Sequence, residues 1–363
     1  MTSELERAAR DVRSAVAIVA ASGRPVIGIV GRDVPAVLVA ASGAHPYRIA
    51  PGDELTDEAD AVMGRAVDRA ASRVLAAVMA GSLDFLRGIL VSRDCEASVR
   101  LFYTLQELHR RGAIAPPVHL VDQVHQNRES TLQYNVAQLA TMWEMVEAWA
   151  SGGISTRSIE AARNELADVR GELERRRSWR RSGRLSGTAA LHGYRVAAAL
   201  PPTDAARLLR DAGSEADDAG FPVFLTGSAP LGDEVYRAIE GAGARVVGED
   251  HDWGDPILTD RLPARIARDR DSLLRELATA RLAGAPAAAS STMAARAKAT
   301  REAIAASGAR ALLSVVRPHD EAPAWDWRHQ REQADVAAAM VRGEAADDLE
   351  QVVAVVETLR AAS

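Results

Sequence analysis

With 363 residues, 47% of them hydrophobic and 26% charged, the chain has the balance of a globular protein with room for two or three cores. Its net charge of −6 argues against non-specific nucleic-acid binding, which needs a basic face. One cysteine excludes an intramolecular disulfide framework, the charged start carries no apolar leader, and no stretch reaches the roughly 18 apolar residues that span a bilayer. The expectation is a cytoplasmic protein without a membrane or nucleic-acid partner.

Pro25 to Gly31 is a short apolar run ending in glycine, as a buried parallel strand would be. Val34 to Ala41 follows as a helix, with Pro35 early, where its missing N–H does no harm. Leu86–Val91 and Val118–Val121 are further strands, separated by a helix over Glu96–Arg111. From Thr131 to Trp149 the residues Leu132, Val136, Leu139, Trp143 and Val146 recur at steps of three and four, which makes one buried helical stripe. Ser155 caps the next helix, which carries Ile159, Ala162, Leu166, Val169 and Leu173 on one face and ends in a basic run, Arg175–Arg184. Cations at a helix C-terminus read first as a solvated end, and second as a contact for phosphates or an acidic partner.

The alternation then repeats: a strand over Pro222–Gly227, a helix over Asp233–Glu240, and a strand over Arg245–Glu249. Long alanine-rich helices follow from Pro263 to Ala306, then a strand over Ala311–Val316 and one or two helices over Asp335–Ala362. Strand–helix–strand repetition implies parallel sheets. The fold class is therefore α/β: two Rossmann-like lobes with parallel sheets, joined and flanked by helices. The segments are an N-terminal lobe (1–130), a helical connector (131–182) and a C-terminal lobe with a helical tail (183–363).

Three places could carry chemistry. Thr226, Gly227 and Ser228 lie at the carboxyl end of a strand leading to a helix, where open α/β sheets bind ligands. Asp250, His251 and Asp252 follow Glu249, and three carboxylates around one imidazole would raise its pKa and suit acid–base work. Cys95 precedes a helix: it is either a small buried hydrophobe or a thiol whose pKa the helix N-terminus lowers. His119 and His125, which flank Asp122, read as loop histidines. Trp325-Asp326-Trp327 with His329 reads as core or interface packing.

Five segments resemble the 2-hydroxyacyl-CoA dehydratase and benzoyl-CoA reductase family, close to the 2-hydroxyglutaryl-CoA dehydratase D-component. They are Pro35–Arg48, with Pro46 and Arg48 in the motif; Gly81–Arg100 around Cys95; the connector Gly153–Leu166; Val223–Pro230 with Tyr236, Ile239, Glu240 and Gly243; and the acidic turn Glu249–Gly254. The resemblance implies a [4Fe–4S] cluster, with Cys95 as one ligand. Its other positions fall near Val62, where no thiol stands, and after Val316, where His319 is the one substitute ligand. It also implies an acyl-CoA substrate contacted by Thr226–Ser228, a related partner subunit in a hetero- or homodimer, and an ATP-dependent activator. The implied activity is that of a hydro-lyase subunit, taking water from a 2-hydroxyacyl-CoA while a partner holds the cluster. Two alternatives are a non-redox acyl-CoA-binding or scaffold protein, and a cluster-free enzyme built on Asp250, His251 and Asp252.

Overall fold

The structure, a computed structural model, describes residues 3–362 except 53–54, 65, 115, 151, 215–219, 260–266, 268, 289 and 344–348. The N-terminal lobe holds α1 (Glu4–Arg10), α2 (Val12–Ala21), β1 (Val26–Val30), α3 (Ala36–Ala41), β2 (His45–Arg48), α4 (Asp57–Met63), α5 (Arg69–Met79), β3 (Gly88–Ser92), α6 (Glu96–Arg110) and β4 (Val118–Val121). Two long helices, α7 (Glu129–Ala150) and α8 (Thr156–Arg181), lead to α9 (Gly187–Ala199) and α10 (Pro202–Asp211). The second lobe contains β5 (Phe221–Gly227), α11 (Glu234–Gly241), β6 (Ala244–Glu249), α12 (Arg270–Leu282), α13 (Met293–Ser307), β7 (Ala311–Val316), α14 (Glu321–Gln333), β8 (Ala337–Arg342) and α15 (Leu349–Ala361). A 3-10 turn, Asp255–Thr259, follows β6. The start of the helical stretch expected over 263–306 lies outside the described residues.

Each lobe has one four-stranded, all-parallel sheet. The orders are β2-β1-β3-β4 and β6-β5-β7-β8, the same topology used twice. β3 and most of β1 are apolar and buried because helices cover both faces. The strand order reverses between β1 and β3, and again between β5 and β7. At such a point the flanking connections run to opposite faces and leave a crevice at the carboxyl ends. Gly31 ends β1 at φ +90° and Gly227 ends β5 at φ +111°. A side chain at Gly31 would press on Asp94 and Ser92, and one at Gly227 on the Val315 backbone, so neither position tolerates a Cβ.

Two edge strands depart from the sequence reading. Residues 337–342, within the stretch read as helix, form β8 because pairing with β7 overrides the helix preference of alanine. β2 carries Pro46, which an edge position accepts. Helix packing also crosses the segment boundaries drawn from the sequence. α12 packs on α7, and its Leu273, Leu274, Leu277 and Ala278 join the core of Ile27, Leu38 and Leu90. α1 packs on α9, and its Leu5 joins a core with Leu173, Tyr194 and Leu209. No described helix is long and apolar enough to cross a membrane.

Candidate functional site between the lobes

The carboxyl ends of the two sheets face one cleft of about 190 Å³, whose lining includes Gly31, Asp94 and Cys95 from one lobe and Gly227, Asp252 and Asp320 from the other. Each lobe supplies a serine–aspartate pair at its strand reversal. Ser92 Oγ accepts the Asp33 N–H (2.9 Å) and donates to Asp94 Oδ1. Ser228 Oγ accepts the Arg317 N–H (3.0 Å) and donates to Asp320 Oδ2 (2.6 Å). Burial, with Asp33 and Asp252 nearby, pushes Asp94 up to about 7. Burial also raises Asp320, against the opposing pull of Arg317.

Arginines tie the lobes across this cleft. Arg317 makes a two-pronged pair with Asp68 (3.1 and 2.7 Å) and donates to the Ala229 carbonyl. Arg48 donates to the Asp252 carbonyl (2.7 Å) and stacks 4.3 Å over the Trp253 ring. Arg32 lies 3.7 Å from the Asp252 carboxylate. Asp33 accepts from Arg281 and meets His125 Nε2 at 2.6 Å. Burial alone would raise Asp33, but the hydrogen bond to His125 and the charge of Arg281 outweigh it and hold the group below its ordinary value.

The expected site residues have different surroundings. Gly227 lines the cleft, whereas Thr226 is buried with Oγ1 accepting from Gln330 (3.1 Å), and Ser228 is engaged as above. Asp250, His251 and Asp252 all line the cleft. Asp250 pairs with Arg296 (3.3 Å) and accepts from Thr300 (2.6 Å). The expectation of a raised His251 pKa is corrected: burial lowers it to about 4 despite Asp250 and Asp252. His251 Nδ1 accepts the Trp253 N–H (3.3 Å), which leaves the proton on Nε2, facing the Tyr236 hydroxyl at 2.8 Å. Tyr236 donates in turn to Glu249 (3.0 Å), so the imidazole is a neutral link in a buried chain.

Cys95 is the N-cap of α6; its N–H donates to Ser98 Oγ at 3.1 Å. The residue keeps solvent access at the cleft and is not a fully buried small hydrophobe, yet the cleft walls stand close enough around the thiol to strip part of its hydration. The thiol pKa is raised, first by desolvation and then by Asp94 and Asp320, against the hydrogen bonds to Ser98. The lowering expected from the helix N-terminus is therefore corrected too. His319 is exposed at φ +63°, the one non-glycine residue in the left-handed region among the described residues. Val62 is 47% exposed on α4.

A [4Fe–4S] cluster is held by thiolates, as a rule four. Among the described residues no group of three or more His, Cys, Asp and Glu side chains is arranged to hold a metal ion. Cys95 is the chain's single thiol, and the Arg317 guanidinium, paired with Asp68, stands at the start of the β7 loop where another ligand would come. This donor set does not fit such a cluster.

Sequence reasoning missed Asp33, Asp68, Arg281 and Arg317 as partners. Gly31-Arg32-Asp33 ends a strand exactly as Gly227-Ser228 does in the other lobe, and that signal could have marked it. The basic run is a solvated end only in part: Arg184 is exposed, but Arg176 and Arg180 are 2% and 1% exposed, and Arg180 binds Glu249 and Asp255. Trp325 is 70% exposed, while Trp327 packs beside Phe224 and Leu312 and Asp326 pairs with Arg296.

No curated protein matches the chain. Residues 33–317 match the model of the 2-hydroxyglutaryl-CoA dehydratase D-component, a span that runs from β2 to β7 and takes in the Asp68–Arg317, Arg48–Asp252 and Asp33–Arg281 contacts at the cleft. The chain therefore belongs to the 2-hydroxyglutaryl-CoA dehydratase D-component family.

Proposed function

We propose that the chain is a subunit of a 2-hydroxyacyl-CoA dehydratase complex that binds the acyl-CoA thioester between its lobes. In this reading a related partner subunit carries the [4Fe–4S] cluster. The observation that carries it is the convergence of both strand reversals on one charged cleft in a member of this family. Gly31 and Gly227 both line the cleft, and each turns the chain there through a positive φ that a side chain would strain. Asp94, with a pKa of about 7, is suited to give a proton to a departing hydroxyl near neutral pH. His251 is not, because burial keeps it neutral and its nitrogens are engaged.

The test is anaerobic purification of the chain alone and with a related subunit. Iron, acid-labile sulfide and acyl-CoA binding are then measured on each preparation. The expected result is thioester binding by the single chain with no iron, and about four irons and dehydration only in the pair. Absence of thioester binding in both preparations overturns the proposal.

The donor set at the cleft favours a second reading, a non-redox acyl-CoA-binding protein of the same fold. It predicts thioester binding with no iron and no turnover, whichever related subunit is added.

A further inference from the structure

Beside the small charged cleft lies a much larger chamber of about 720 Å³, bounded by α3, α8, α9, α12 and the 3-10 turn. It falls within the roughly 300–1,000 Å³ of pockets that bury a drug-sized molecule. Its walls are aliphatic, with Leu139, Leu166, Leu173, Leu200, Leu258 and Leu277 prominent. The cleft and the chamber share Gly31, Arg32, Asp33, Arg48 and Arg281, so they meet at the Asp33–Arg281 pair.

A second, independent observation points to a ligand here. Gln123 lines the chamber at 4% exposure, and among the described residues its Oε1 accepts no hydrogen bond. A buried amide oxygen without a donor is costly, so such a group is normally satisfied by something bound. Gln123 follows β4 and stands two residues before His125, the partner of Asp33 at the junction. A ligand that crosses from cleft to chamber passes into the space that Gln123 lines, and a donor on it has that acceptor to meet.

We infer that the chamber takes the aliphatic chain of a medium-chain 2-hydroxyacyl thioester, and that Gln123 accepts a hydrogen bond from its 2-hydroxyl. This rests on the reading that the cleft binds a CoA thioester, and it adds which acyl groups are chosen. Each methylene buried in the chamber adds about fourfold to affinity.

The experiment is calorimetric binding of CoA, acetyl-CoA, decanoyl-CoA, 2-hydroxydecanoyl-CoA and decanoate to the full chain. Decanoyl-CoA is expected to bind at least about 100-fold tighter than acetyl-CoA. The 2-hydroxyl is expected to add about 10-fold more, and Gln123→Leu to remove that increment alone. Ala280→Trp, which fills the chamber from α12, is expected to bring decanoyl-CoA down to the affinity of acetyl-CoA.

Equal affinity for acetyl-CoA and decanoyl-CoA overturns the inference while the thioester reading stands. Equal weakening of CoA and decanoyl-CoA by Ala280→Trp also overturns it, because the chamber would then hold the pantetheine arm. A hydroxyl increment that survives Gln123→Leu overturns the role of Gln123. Binding of decanoate without any CoA compound defeats the thioester reading and this assignment together.

Discussion

At the cleft, Asp94 accepts from the Arg32 N–H (3.0 Å) and from Ser92, with Asp33 and Asp252 close enough to oppose its charge. The unfolded carboxyl titrates near 3.9, the folded one at about 7. Between those values the folded chain holds the extra proton, so stability falls as pH rises from about 4 to about 7, and the penalty is complete above 7. The full effect is at most about 4 kcal/mol. In Asp94→Asn the decline between pH 5 and 8 should largely disappear, which urea unfolding across pH would reveal; an unchanged slope would refute the assignment. The neighbouring Cys95, with its raised pKa, should react slowly with iodoacetamide at pH 7 and faster as pH rises past 9, as mass spectrometry can follow. Residues beside strand ends, such as Cys95, Gly227 and Asp250, were legible in the sequence. Asp33–Arg281 and Asp68–Arg317 were not, because their partners lie 248 and 249 residues apart and no local pattern links them.

Among the elements, α8 is held to β6 and the 3-10 turn by the Arg180 guanidinium, which Glu249 and Asp255 share, while Tyr194 donates to Asp255. Removing one partner of such a buried group leaves the others uncompensated, so Arg180→Ala should cost about 3–5 kcal/mol in chemical denaturation. A cost below about 1 kcal/mol, the range of exposed pairs, would return Arg180 to the solvated helix end first read from the basic run. The β1 turn has its own weak point: in Gly31→Ala the strained φ and the contact with Asp94 should lower stability by about 1–3 kcal/mol. A calorimetric Tm equal to wild type would contradict this. Central strands and long helices were readable because burial on both faces gives apolar runs and one buried face gives a periodic stripe. The edge strands β2 and β8, reading His-Pro-Tyr-Arg and Ala-Ala-Ala-Met-Val-Arg, carry neither signal and are set by pairing with β1 and β7.

For the molecule as a whole, the Arg317–Asp68 pair closes one lobe upon the other at the cleft. Its side chains are 16% and 12% exposed, so either single alanine substitution should cost more than an exposed pair does, up to about 3–5 kcal/mol. The double substitution should cost less than the sum, with a coupling of about 0.5–3 kcal/mol in a double-mutant cycle. Full additivity would mean the two groups do not sense each other. The two-lobed α/β plan followed from the alternation of elements, whereas the exchange of helices between the lobes did not. That exchange bears on how the chain acquires its shape during synthesis. Because Leu273, Leu274, Leu277 and Ala278 complete the core around Ile27 and Leu38, the first sheet made by the ribosome cannot be sealed when its own strands emerge. It must wait, one face still wet, until some 150 more residues have been added after β4.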